Sequence, residues 1–215
     1  KICTRKLVVI TMVFALFFVS CKEKAIPKPR ALFRIDIPKH DFKTVETPLP
    51  FSFEYADYAT YENIIEPAKL VEQPAENPND PPEIIRVPAK KWINIFYKEH
   101  KATLYFSYHP VEDNLSEYLE VSHGYAFKHI SKATDINEQL IVREDDKVYG
   151  LVYNIMGSET ATPINFYLTD SIHHFVRGSL YFNLSPNNDS LSPIIRSIEA
   201  DLAHLIETFK WEQKD

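Results

Sequence analysis

Residues 162–183 read TPINFYLTDSIHHFVRGSLYFN. Ile164, Phe166 and Leu168 alternate with more polar neighbours, and Val176, Leu180 and Phe182 alternate again after Thr169-Asp170-Ser171. Period two is the signature of a half-buried strand, and a short polar cluster between two such runs is a turn. The stretch therefore predicts two antiparallel strands, near 162–169 and 173–183, with one face buried. Gly178 inside the second strand marks a bulge or a close packing site.

Working outward, two further strands are expected near 138–143 and 147–156, with turns at Asp145-Asp146 and Gly157-Ser158. Upstream the period changes. Asn114-Leu115-Ser116-Glu117 resembles a capping box, and Leu115, Tyr118, Leu119, Ser122, Ala126 and Ile130 share one helical stripe. Before that helix, Phe51–Tyr55, Trp92–Tyr97 and Ala102–His109 alternate as strands, the last two joined by the polar loop Lys98–Lys101. The final element is a helix that Ser192-Pro193 would start, with Ile194, Ile198, Leu202, Leu205 and Phe209 on one stripe. The order strands–helix–strands–helix predicts an α+β fold: an antiparallel sheet meander packed with two helices, one sandwich domain over residues 51–215. By element order alone the Mog1/PsbP sandwich is an analogue.

A chain of 215 residues with 45% hydrophobic content can fill one substantial core. With 24 Lys+Arg against 30 Asp+Glu the net charge is −6, and no basic block is present, which argues against nucleic acid as a partner. Fifteen prolines require long stretches that are neither helix nor central strand. Two cysteines cannot build the disulfide framework of a small secreted scaffold.

The N-terminal residues point to a compartment. Lys1, Arg5 and Lys6 precede the apolar run Leu7–Val19, which matches a signal peptide (residues 1–20) and is short for a membrane span. The run ends Phe18-Val19-Ser20-Cys21, similar to the lipobox of bacterial lipoproteins, in which the cysteine becomes the acylated first residue. Cys21 is thus the expected lipidation site, and acyl chains there would anchor an otherwise acidic protein to a membrane. Residues 21–50 carry the chain's first prolines and read as an extended tether, with a reach of roughly 90 Å at about 3.1 Å per residue. A second proline-rich stretch, about 62–90, reads as a long surface loop.

Catalytic signatures are missing from the sequence: no nucleophile elbow, phosphate loop, dinucleotide fingerprint or zinc-protease motif occurs. His173-His174 would point to opposite faces of a strand, so no metal site is expected there. No cofactor is expected either. Tyrosines and phenylalanines are many, 12 and 14, and an exposed subset on a sheet face would suit protein binding. Alternation places Arg177 with Phe175 and Tyr181 on the face opposite Val176, Leu180 and Phe182, and these three form the expected partner-binding residues on a solvated sheet surface. A small-molecule or lipid carrier is the alternative, since sheet-and-helix sandwiches can hold apolar ligands. A cell-envelope hydrolase is a third reading, without a nucleophile or paired acids to support it.

Several blocks carry a resemblance. Cys21-Lys22-Glu23, Pro27-Lys28-Pro29, Phe51–Tyr55, Lys101-Ala102-Thr103 and Pro110-Val111 with Asn114-Leu115 lead to the densest one, Thr169-Asp170-Ser171 followed by His174–Phe182. Pro186-Asn187, Asp189-Ser190 and Leu205–Trp211 complete it. Together these resemble the GldD family of gliding-motility lipoproteins of Bacteroidetes. The resemblance implies an accessory lipoprotein needed for motility and the coupled type IX secretion, with other gliding and secretion envelope lipoproteins as partners. It implies no reaction, cofactor or catalytic residue. Lys22-Glu23-Lys24 has one acidic residue, weak for a surface-export signal, so the expected place is the inner, periplasm-facing side of the outer membrane.

Overall fold

The computed structural model describes residues 41–74, 81–87, 89–128, 131–160, 162–184 and 188–212. Cys21, the signal residues and the expected tether up to residue 40 lie outside them. Twelve strands and two α-helices follow in the order β1 (Phe42–Glu46), β2 (Phe51–Ala56), β3 (Thr60–Glu66), β4 (Lys69–Gln73), β5 (Glu83–Val87), β6 (Lys90–Tyr97), β7 (Ala102–Pro110), α1 (Leu115–Phe127), β8 (Asp135–Arg143), β9 (Val148–Met156), β10 (Ile164–Thr169), β11 (His174–Phe182), α2 (Asn188–Thr208) and β12 (Lys210–Trp211). A 3-10 turn, Lys98–His100, joins β6 to β7. The fold is α+β, with all strand pairing antiparallel.

A seven-stranded sheet, in the order β3-β6-β7-β11-β10-β9-β8, forms the middle layer. Alternation sends Ile93, Ile95, Leu104, Phe106, Phe166, Val176 and Leu180 to one face, where all are buried. Against that face lie α2, through Ile194, Ile198, Leu202, Leu205 and Ile206, and a small sheet of order β1-β2-β12. Phe209, just past α2, stacks on Phe51 with ring centroids 5.2 Å apart, and Phe53 stacks on Phe106 at 5.6 Å. Each such fully buried apolar side chain contributes about 1.5–3 kcal/mol. Arg143 closes the end of α2: its Nη1 donates to the carbonyls of Ile206 (2.6 Å) and Phe209 (2.9 Å), groups a helix C-terminus leaves unbonded.

The structure corrects four expectations. The folded domain begins near residue 41 rather than 51, because Val45, Thr47 and Leu49 are buried and β1 pairs along all of β2 from Phe42↔Ala56 to Glu46↔Ser52. Pro48 and Pro50 sit in the turn, where the Thr47 hydroxyl bonds the Leu49 and Phe51 carbonyls at 3.0 and 2.8 Å. The expected loop at 62–90 is largely a hairpin. The register that sets Glu66 opposite Lys90 continues without offset to Lys69 opposite Val87, so β3–β4 and β5–β6 form one long ribbon. Its ladder lapses near Pro67, which has no N–H to donate.

The third correction is the start of α2. The helix begins at Asn188, and Pro193 lies inside it, in the second turn, at the expense of a single backbone bond. The fourth is that the large sheet does not have only one covered face. Helix α1 packs across β9, β10 and β11 on the other side, where Ala126, Tyr153 and Ile155 are buried with Phe127, Ile136, Leu151 and Tyr167 around them. Asn114 stands at the N-cap of α1 without making a capping bond. Its Oδ1 instead accepts the Glu112 N–H (2.9 Å), and its Nδ2 donates to the Tyr118 hydroxyl (3.2 Å).

Candidate functional site

The turn between β10 and β11 gathers an unusual density of polar bonds. Asp170 Oδ1 accepts the backbone N–H groups of Ile172 (3.0 Å), His173 (2.8 Å) and His174 (2.8 Å). Beside it, Thr169 Oγ1 donates to the His174 carbonyl (2.7 Å) and accepts the Ser171 N–H (2.9 Å), with Ser171 held at φ 71°. Asp and Ser tolerate such turns because short side chains can bond the backbone two residues on. The His173 carbonyl accepts the Val111 N–H (2.8 Å), which ties the turn to the end of β7.

His174 connects this turn to the far end of the chain. Its Nδ1 lies 2.9 Å from the Tyr108 hydroxyl, and its ring stacks on Trp211 at 5.2 Å. Trp211 Nε1 donates to the Lys147 carbonyl at 3.1 Å. A pocket of about 450 Å³ opens here, lined among others by Asp145, Asp170, His173, Lys210 and Trp211. Burial alone would raise the Asp170 carboxyl, but the backbone donors of His174, Ile172 and His173, helped by His174's charge, hold it below its ordinary value. Burial lowers His174, which Asp170 partly opposes and His173 reinforces. Burial and the Asp170 charge push the Tyr108 phenol up to about 12.

This arrangement braces the turn and leaves the His173 imidazole exposed beside the largely buried Asp170 carboxylate. Among the described residues no group of three His, Cys, Asp or Glu side chains is placed to hold a metal ion. His173 and His174 are 6.0 Å apart by ring centroid, and the carboxylate near His173 Nδ1 is Asp170 at 3.6 Å.

The face carrying Arg177 differs from the solvated surface that alternation implied. Phe175 is fully buried between Tyr118 of α1 (5.3 Å) and Tyr167 (5.6 Å), so it cannot reach a partner. Arg177 is half-buried beneath α1, its guanidinium 4.4 Å from the ring of Tyr125 rather than over Tyr181. Tyr181 is exposed, at 39%. It does not stand alone: on the same face, beyond the reach of α1, Tyr105 (43%) and Trp92 (41%) are exposed on β7 and β6. The physical reason is length. A 13-residue helix, about 20 Å long, covers only part of a seven-strand sheet.

One buried polar cluster has no counterpart in the sequence reading. Asp201, on the inner side of α2, is bonded by the Tyr58 hydroxyl, and Tyr97, His100 and Ser197 are buried near it. The available signal was a carboxyl residue one helical turn from Ile198 and Leu205 on the apolar stripe. A cleft of about 930 Å³ also runs between β8–β9 and α2, lined by Asn137, Gln139, Asn154, Met156, Ser192 and Arg196 among others. Its lining mixes these polar side chains with Ile155, Ile164 and Ile195, whereas the apolar interior is filled by the chain's own side chains.

Fold and site define a β-rich α+β sandwich domain with Trp92, Tyr105 and Tyr181 exposed on one sheet face. The family model described as gliding motility lipoprotein GldD matches residues 22–211, and the chain belongs to that family. It is thus a gliding motility lipoprotein; among the described residues no helix is long and apolar enough to cross a membrane. No curated protein and no solved structure matches the chain, and the Mog1/PsbP analogy rests on element order alone.

Proposed function

We propose that this lipoprotein is a non-enzymatic accessory component of the gliding machinery and of the type IX secretion apparatus coupled to it. It is held at the periplasmic face of the outer membrane by acyl chains on Cys21, and it acts by binding other envelope lipoproteins. The observation that carries the reading is the family match, which starts one residue after Cys21 and runs through Trp211. The exposed Tyr181, Tyr105 and Trp92 form the proposed docking face, since large aromatic side chains anchor protein interfaces at low entropic cost.

A deletion strain tests it. Loss of the gene abolishes spreading and secretion together, the wild-type gene restores both, and Cys21→Ala restores neither and takes up no fatty-acid label. Tyr181→Ala combined with Trp92→Ala accumulates as a folded protein yet fails to restore motility. Normal gliding without the gene overturns the proposal, and full rescue by the double variant moves the docking face elsewhere.

A further inference from the structure

Strand β8 ends the seven-stranded sheet, and among the described residues nothing pairs with its outer edge over Asp135–Arg143. The direction of its free groups follows from the neighbouring ladder. The Ile155 N–H donates to the Pro163 carbonyl (2.7 Å), on the side away from β8, so its partner Ile136 turns its own N–H and C=O outward. In agreement, the Ile136 N–H is bonded by the side chain of Asp135 (2.9 Å) and not by β9. By alternation Glu138, Leu140 and Val142 also aim their backbone groups out of the sheet. Leu140 is 71% exposed and Val142 52%.

Edge strands of soluble proteins are ordinarily blunted by lysine, proline, bulges or shortness. The opposite edge, β3, carries Glu62 and Glu66 and runs into Pro67. Strand β8 has nine residues, no lysine, no proline and an unbroken register with β9.

The strand is also complementary to itself. Reversed about its midpoint, Gln139, it sets Asp135 opposite Arg143, Ile136 opposite Val142, Asn137 opposite Ile141 and Glu138 opposite Leu140. Arg143 keeps its guanidinium on the α2 carbonyls and Asp146, so the end pair adds no ion pair, but two β-branched residues, Ile136 and Val142, meet on the α1 face, a pairing that stabilises antiparallel strands. A shift of two residues one way puts Glu138 against Glu138. The other shift runs past the strand's end at Arg143 and leaves Asp135 and Ile136 without partners. Only the centred register also uses the full strand.

We infer that β8 pairs antiparallel with β8 of a second copy about a two-fold axis at Gln139, joining the two seven-stranded sheets into one of fourteen. Leu140 of each copy then lies diagonally across the axis from its equivalent, within reach of apolar contact. Gln139 meets Gln139 as a non-hydrogen-bonded pair, with Cα atoms about 4.5 Å apart.

The full lipidated chain in detergent tests this by sedimentation and by cysteine trapping. The wild type is expected to sediment as a dimer at tens of micromolar, and Leu140→Lys to shift the dimer dissociation constant upward by at least tenfold with an unchanged circular dichroism spectrum. Gln139→Cys is expected to give an intermolecular disulfide under mild oxidation that neither wild type nor Leu140→Cys gives, because the distance at the axis suits a disulfide and the diagonal one does not. A wild type that remains monomeric at that concentration, or a dimer untouched by Leu140→Lys, overturns the proposal. Equal trapping at positions 139 and 140 overturns the register.

Discussion

The hydroxyl of Tyr58 is hydrogen-bonded to the carboxyl of Asp201, inside the protein and 143 residues apart in sequence. The bond fixes the segment between β2 and β3 to the middle of α2. Removing the hydroxyl leaves a fully buried carboxyl with one donor fewer, and such losses cost about 1–3 kcal/mol. Tyr58→Phe is therefore expected to lower unfolding stability by that amount in urea titration. Tyr58→Phe added to Asp201→Asn is expected to cost less than the two single effects together, since both act on one contact. Additive losses would show that the bond does not hold α2.

Gly178 is required by contact and not by conformation. A Cβ there would lie 2.2 Å from two carbons of the Phe166 ring, which is itself buried by Phe106 and its neighbours. The register runs through Gly178 to Phe166 on one side and Phe106 on the other, so no bulge is present to absorb the clash. Gly178→Ala is expected to destabilise by about 1–3 kcal/mol, as overpacked cores do. Gly178→Ala with Phe166→Leu should recover part of it.

Acid should weaken the fold in two steps. Burial lowers His100, His109 and His174, with Glu99 and Asp201 partly restoring His100, and Arg177 lowering His109 further. A histidine with a depressed folded pKa binds its proton first in the unfolded chain, so stability is intact above about pH 6.5 and declines as pH falls from there toward the folded values. Each histidine contributes at most about 1.4 kcal/mol per pH unit, and the half-exposed His174 less. Asp170, also depressed, adds a second loss below about pH 4, where the unfolded chain again takes up the proton first. Urea midpoints measured from pH 8 to 3 check both; a flat profile between 7 and 5 contradicts the first step.

The β4–β5 end of the ribbon should be dispensable for folding. Leu70, Val71, Ile84 and Ile85 are all exposed on it, so it buries little apolar area. Replacing residues 67–89 by Asn-Gly, which suits a two-residue hairpin between Glu66 and Lys90, is expected to change the melting temperature by no more than about 2 °C. A drop several times larger would mean that the ribbon packs on the domain.

Where the chain alternates or repeats without interruption, its structure is legible in its letters. The strands at Ile164–Thr169 and His174–Phe182 and the stripe from Ile194 to Leu205 stand where the periods put them. Strand β1 and the ribbon were hidden because prolines at 48, 50, 67 and 81–82 lie beside short strands and mask their alternation. The burial of Phe175 and Arg177 depended on where α1 docks, and no local pattern encodes that. Asp170 was readable as a turn residue. That its neighbours would meet Tyr108 and Trp211 was not, because those contacts join positions that only the tertiary fold brings together.

Strand β12, two residues long, pairs with β2 through Lys210↔Ser52 and Trp211↔Phe51, while Phe209 fills the space beside Phe51 and Phe53. The small sheet therefore consists of the first two strands described and the last. Emerging from a ribosome or threading through a membrane pore, the chain presents β1 and β2 long before their third strand exists, and such distant closure is slow. Phe51 and Phe53 can pack on Tyr108 and Phe106, but one side of each stays uncovered until Phe209 arrives. Phe209 and β12, just past α2, thus act as a latch on synthesis: a copy cut short before residue 209 keeps an open apolar flank.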